Sequence, residues 1–127
     1  MLRVQTFACV LAGALAAQIA LAEPGSAFEC PEPEAQGARG VIPESPQEIT
    51  EFSALLGSGD LEDRLEVIAH ALKRKYPNAD KTELTNFMVT AYCPVIAADE
   101  DLGESEKAER LDRFSEEVWQ IYSDLGL

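Results

Sequence analysis

The chain has one histidine, one tryptophan and three cysteines in 127 residues, and 10 lysines and arginines against 23 aspartates and glutamates. Each shortage excludes something. His70 is the one side chain with an ordinary pKa near neutrality, so imidazole pairs and multi-histidine metal sites have no residues to draw on. No CxxC spacing occurs, which removes the common zinc and dithiol signatures. There is no glycine-rich nucleotide loop, no internal repeat and no stretch of strand-like alternation. A formal charge of −13 argues against nucleic acid, whose phosphates need cationic neutralisation, and against adsorption to anionic membranes. Cationic partners or plain solubility remain.

The first feature present is an address. Arg3 precedes an apolar run from Val4 to Leu21, interrupted only by Gln5, Thr6 and Gln18 and closed by Ala20, Leu21 and Ala22 before the polar Glu23 and Pro24. Residues 1–22 read as a signal peptide cleaved after Ala22. The rival reading is a retained anchor, because the run approaches the roughly 20 residues of a spanning helix. Cys9 lies inside the apolar run, whereas lipid-modified cysteines follow it. Removing 22 of the 127 residues leaves 105 and, with Arg3 gone, takes the formal charge from −13 to −14. That length predicts one domain. No second apolar run is long enough to enter a membrane after cleavage.

Cleavage leaves two cysteines, Cys30 and Cys93, bound for a compartment where thiols oxidise, so one intramolecular disulfide is expected. The alternative is a metal-binding or catalytic thiol, for which neither cysteine has a companion in sequence.

The remaining chain divides by composition. Residues 23–44 form an extended arm: the stretch 23–46 holds five of the seven prolines together with Gly25, Gly37 and Gly40. Residues 45–127 read as a helical domain. Ser45, Pro46 and Glu48 make a capping box for a first helix whose inward face is Ile49, Phe52, Leu55 and Leu56, stopped by Gly57. A second helix starts near Asp60, places Leu61, Leu65, Ile68 and Leu72 on one stripe, sets Lys73, Arg74 and Lys75 at its C-terminal end, and ends at Pro77. A third is capped by Asp80 and Glu83 and aligns Leu84, Phe87, Met88, Ala91 and Val95; Pro94 should end or kink it. The last runs from about Ser105 to Leu125 with Leu111, Phe114, Val118, Ile121, Tyr122 and Leu125 inward, supported by Glu106–Arg110 and Glu109–Arg113 pairs. The fold expected is all-α, a small bundle of about four helices with an extended N-terminal arm and one disulfide.

Few residues stand out as candidate sites. His70 lies opposite its helix's apolar stripe, where Glu66 can pair with it as a surface contact. Four carboxylates between Asp99 and Glu104 have calcium-binding chemistry, but an EF-hand loop begun at Asp99 would need glycine where Glu104 stands and glutamate where Arg110 stands. Trp119 and Tyr92 sit at the edges of their helices' inward stripes. Each is either a packed rim residue or an anchor for a partner, since Trp and Tyr dominate interface hot spots. No Ser–His–Asp set and no metal-spaced cluster can be picked out, so no cofactor is implied and no catalytic residue is assigned.

The segment Leu84 to Ala97, with Ala91, Tyr92, Cys93, Pro94 and Val95 at its centre, and the Glu106–Arg110 opening of the last helix resemble small exported bacterial helical proteins of no assigned function. That resemblance covers under half of the mature chain and implies export and helicity, not an activity. In architecture the chain is also similar to periplasmic acid-stress chaperones of the HdeA type, which expose apolar surface when their carboxylates protonate; the motifs differ. The sequence thus points to a periplasmic or secreted non-enzymatic protein that engages another exported protein through a helical face. An acid-responsive chaperone and an enzyme of unrecognised class stand as the alternatives.

Overall fold

The computed structural model describes residues 27–33 and 42–127. The segment read as a signal peptide, Cys9 and the rest of the arm lie outside the described residues. The helices are α1 (Pro46–Gly57), α2 (Leu61–Lys75), α3 (Lys81–Ala97) and α4 (Glu104–Asp124), and no strand occurs among the described residues. None of the described helices is long and apolar enough to cross a membrane.

The caps set the helix starts. The Ser45 hydroxyl accepts from the Glu48 N–H at 3.2 Å, but Glu48 does not complete the expected box. Its carboxylate instead takes the Lys75 ammonium at 2.6 and 2.7 Å and ties the start of α1 to the end of α2. At α3 the box is complete: Asp80 accepts from the Glu83 N–H at 2.8 Å and Glu83 from the Asp80 N–H at 3.0 Å. At α4 the Glu106 carboxylate accepts from the Gly103 N–H at 2.9 Å. Glu106 is therefore drawn to the helix start, and Arg110 reaches Asp99 at 3.5 Å instead. Neither Glu106–Arg110 nor Glu109–Arg113 is among the ion pairs of the described residues.

α3 is the centre of the packing, with α1 on one side and α4 on the other, while α2 packs on all three other helices. Leu84, Phe87, Met88 and Ala91 of α3 are fully buried and meet Phe52 and Leu56 of α1, Leu65, Ile68, Ala69 and Leu72 of α2, and Phe114, Val118 and Tyr122 of α4. Phe52 and Phe87 pack edge to face with ring centroids 5.2 Å apart. Each large buried apolar side chain contributes about 1.5–3 kcal/mol. The Tyr122 hydroxyl donates to the Ala69 carbonyl at 2.9 Å, so α4 is fastened to α2 through the core, and burial pushes that phenol well above its ordinary pKa.

The expected disulfide is formed: Cys30 and Cys93 are joined, with Cα atoms 5.6 Å apart. It holds residues 27–33 against α3, and the Phe28 N–H also donates to the Glu104 carboxylate. Ile42, assigned by composition to the arm, is buried in the core.

Three expectations need correction. Leu55 and Leu125 are exposed, at 40% and 44%, because each lies in or beyond the last turn of its helix, where the bundle no longer covers it. Val95 is only half-buried and lies off the core stripe; it faces the end of α1, where a Cβ on Gly57 would stand 3.4 Å from its Cγ2. α1 does stop at Gly57, as expected, and the chain turns at Gly59, whose φ is +74°. Finally, of the two outcomes expected at Pro94, an end or a kink, the end does not occur: α3 continues to Ala97. The local cost of an interior proline, about 3 kcal/mol, is overridden by anchors on both sides, the disulfide-bonded Cys93 and the buried Ile96.

Candidate functional site

α4 carries its core residues Phe114, Val118 and Tyr122 at spacings of four. At about 100° per residue, Trp119 is carried from the Val118 direction to the flank of the helix. There the residue is 43% exposed. The Lys81 ammonium, from the first turn of α3, sits 4.2 Å from the indole centroid. That ammonium also donates to Ser123 Oγ at 3.1 Å, and the Ser123 hydroxyl donates to the Trp119 carbonyl at 2.8 Å. A cation over an aromatic face contributes about 0.5–1 kcal/mol at an exposed site. More usefully, the arrangement fixes the indole while leaving part of it open, which lowers the ordering cost of any contact made with it. Glu116, one turn earlier on α4, lies beside it and is exposed, as is Gln120. The result is a fixed, partly open aromatic surface flanked by Lys81 and Glu116.

Tyr92 is a different case. It packs on Phe114 with centroids 4.2 Å apart and rings inclined at 38°, and it belongs to the rim of the core. Burial raises its phenol pKa; Arg110 opposes the shift, while Glu117 and Asp99 add to it. Arg110, Phe114 and Glu117 lie on one flank of α4, and Trp119 and Ser123 on the other. The two aromatic candidates are therefore not joined into one patch.

His70 is half-buried, not fully turned to solvent, and its Nε2 is 3.8 Å from Glu66 Oε1. It lines a cavity of about 240 Å³ with Lys73, Arg74, Leu125 and Leu127. The sequence reading missed this cavity. Its one available signal was Gly126, which adopts a φ of +80° and turns the chain after α4 back onto the bundle.

The acidic connector before α4 is largely committed to structure. Asp99 takes Arg110 and accepts from the Asp101 N–H at 3.1 Å, and Glu104 takes the Phe28 N–H and Lys107. No group of three or more His, Cys, Asp or Glu side chains placed to hold a metal occurs among the described residues. Compared with known proteins, the chain matches no family model, no curated protein and no solved structure.

Proposed function

We propose that this is an exported, non-enzymatic binding protein that engages a cationic, apolar-tipped segment of another exported protein through the Trp119 flank of α4. The observation that carries the reading is Trp119 itself, a residue 43% exposed whose ring is held from one side by Lys81. A tryptophan serving only as packing would be covered more fully; one left open and pre-positioned is suited to an interface centre. The chain's formal charge of −13 favours encounter with a basic partner. Export is supported by the apolar run ending Ala20, Leu21, Ala22 and by the Cys30–Cys93 bridge, since disulfides persist in oxidising compartments. Crosslinking the tagged protein in cells beside a Trp119→Ala version tests it: a dominant partner lost in the variant supports the reading, and an identical capture from both removes it.

One observation favours a second reading, an acid-responsive chaperone. Carboxylates close the starts of α3 and α4 through Asp80, Glu83 and Glu106, and Glu48 clamps α1 to α2. The chain as a whole carries 23 aspartates and glutamates against 10 lysines and arginines, so its net charge changes steeply in acid. Light scattering from an aggregating client at about pH 3 decides: suppression by added protein favours this reading, and no effect eliminates it.

A further inference from the structure

We infer that the cavity between the C-terminal ends of α2 and α4 is a binding site for a short aliphatic carboxylate. The chain has more than twice as many acidic as basic residues, yet none of the five residues lining this cavity is acidic and three carry basic nitrogens, His70, Lys73 and Arg74. The Lys73 ammonium is held by two carbonyls, Pro77 O at 2.9 Å and Ala79 O at 3.0 Å. An ammonium has three donors, so one is left for a ligand on a cation whose position is already fixed. Arg74 is exposed and makes no hydrogen bond or ion pair with any described residue, which leaves its guanidinium fork for a carboxylate.

The apolar half of the site is equally built. Leu125 and Leu127 are 44% and 38% exposed, so neither is spent on the core. Both are nonetheless held in place: Gly126 in the left-handed region allows the Gly126 N–H to reach Ser123 O at 3.0 Å and the Leu127 N–H to reach Tyr122 O at 3.2 Å. This double closure of a helix end brings Leu127 back over the last turn. The C-termini of α2 and α4 each present about half a negative charge, and a terminal carboxylate on Leu127 and Glu66 beside His70 also oppose an anion; Lys73 and Arg74 bring two full positive charges against them. A volume of about 240 Å³ lies below the range of roughly 300–1,000 Å³ typical of drug-sized ligands, which points to a chain of about six carbons.

Hexanoate is the probe, titrated into the purified disulfide-bonded protein and followed by amide NMR shifts. Saturable shifts centred on His70, Lys73, Arg74, Leu125 and Leu127 are expected. Arg74→Gln, on an exposed side chain, should weaken binding about threefold or more at unchanged melting temperature. Leu127→Asp should abolish it, and hexanol, which keeps the chain and lacks the charge, should bind several-fold more weakly. Shifts that do not saturate, that scatter over other faces, or that hexanol reproduces at equal strength in wild type and Arg74→Gln would overturn the inference. The Trp119 reading is untouched by either result, since Trp119 is not among the cavity's lining residues.

Discussion

Reducing the Cys30–Cys93 bridge should remove a large share of the protein's stability, and the size of the loss follows from where the two cysteines lie. They are separated by 63 residues, a loop that contains α1, α2 and most of α3. In the chain-entropy treatment, releasing a loop of that length frees the unfolded state by about 4 kcal/mol at 25 °C. Against a typical total of 5–15 kcal/mol for a domain, that is a quarter or more of what holds the fold. Of the described residues 27–33, Phe28 is also fastened to the body, by its hydrogen bond to Glu104 and by partial burial, and reduction should loosen this strap. Urea unfolding of the oxidised and reduced protein, followed by far-UV circular dichroism, is the assay. With a denaturant slope of about 1.5 kcal/mol per molar, the midpoint should fall by roughly 2–3 M. The double variant Cys30→Ala, Cys93→Ala should behave like the reduced protein, lowered slightly further by the void at the fully buried Cys93 position. A loss below about 1 kcal/mol would refute the argument, because it would mean that the unfolded chain gains little freedom from opening this loop.

Three further outcomes follow from the packing. Phe87→Ala, at a fully buried ring in edge contact with Phe52, should cost about 3–5 kcal/mol in chemical denaturation. Thr85 is buried and its hydroxyl has no hydrogen-bond partner among the described residues, so Thr85→Val should leave stability unchanged or raise it by about 1 kcal/mol. Stability should also fall in alkali. The folded Tyr122 phenol has a pKa raised by burial, so its contribution is intact below the unfolded value of about 10 and is lost above it at about 1.4 kcal/mol per pH unit. Lys75, raised chiefly by its hydrogen bond to Glu48, changes in the same direction. Tyr122→Phe should flatten the tyrosine part of that decline in melting temperatures measured from pH 9 to 12.

The helices were legible in the sequence because caps and apolar periodicity agree: Asp80 with Glu83 opens α3, and Leu65, Ile68 and Leu72 face inward as spaced. The disulfide followed from there being only two cysteines outside the leading apolar run. What was not legible depended on tertiary contact. Pro94 reads as an end or a kink, and the bridge at Cys93 and burial of Ile96 carry the helix past it. Ile42 reads as part of a polar arm and is core, because burial of one side chain needs no periodicity. Leu55 and Leu125 fit their stripes but sit where the bundle has run out. The candidate surface was half visible: spacing put Trp119 off the inward stripe, but the cation that holds it comes from Lys81, 38 residues earlier. The cavity beside His70 joins α2 to residues beyond α4, a meeting that no local pattern announces.

The central claim is that Trp119 is kept for a partner more than for the fold. The most direct test measures both quantities on one pair of proteins, the unfolding free energy and the affinity for the crosslinked partner in wild type and Trp119→Ala. The account predicts a stability loss within about 1 kcal/mol, the scale of the Lys81 contact, together with a fall in affinity of tenfold or more. A stability loss of several kcal/mol with affinity unchanged would contradict it and return Trp119 to the packing of the bundle.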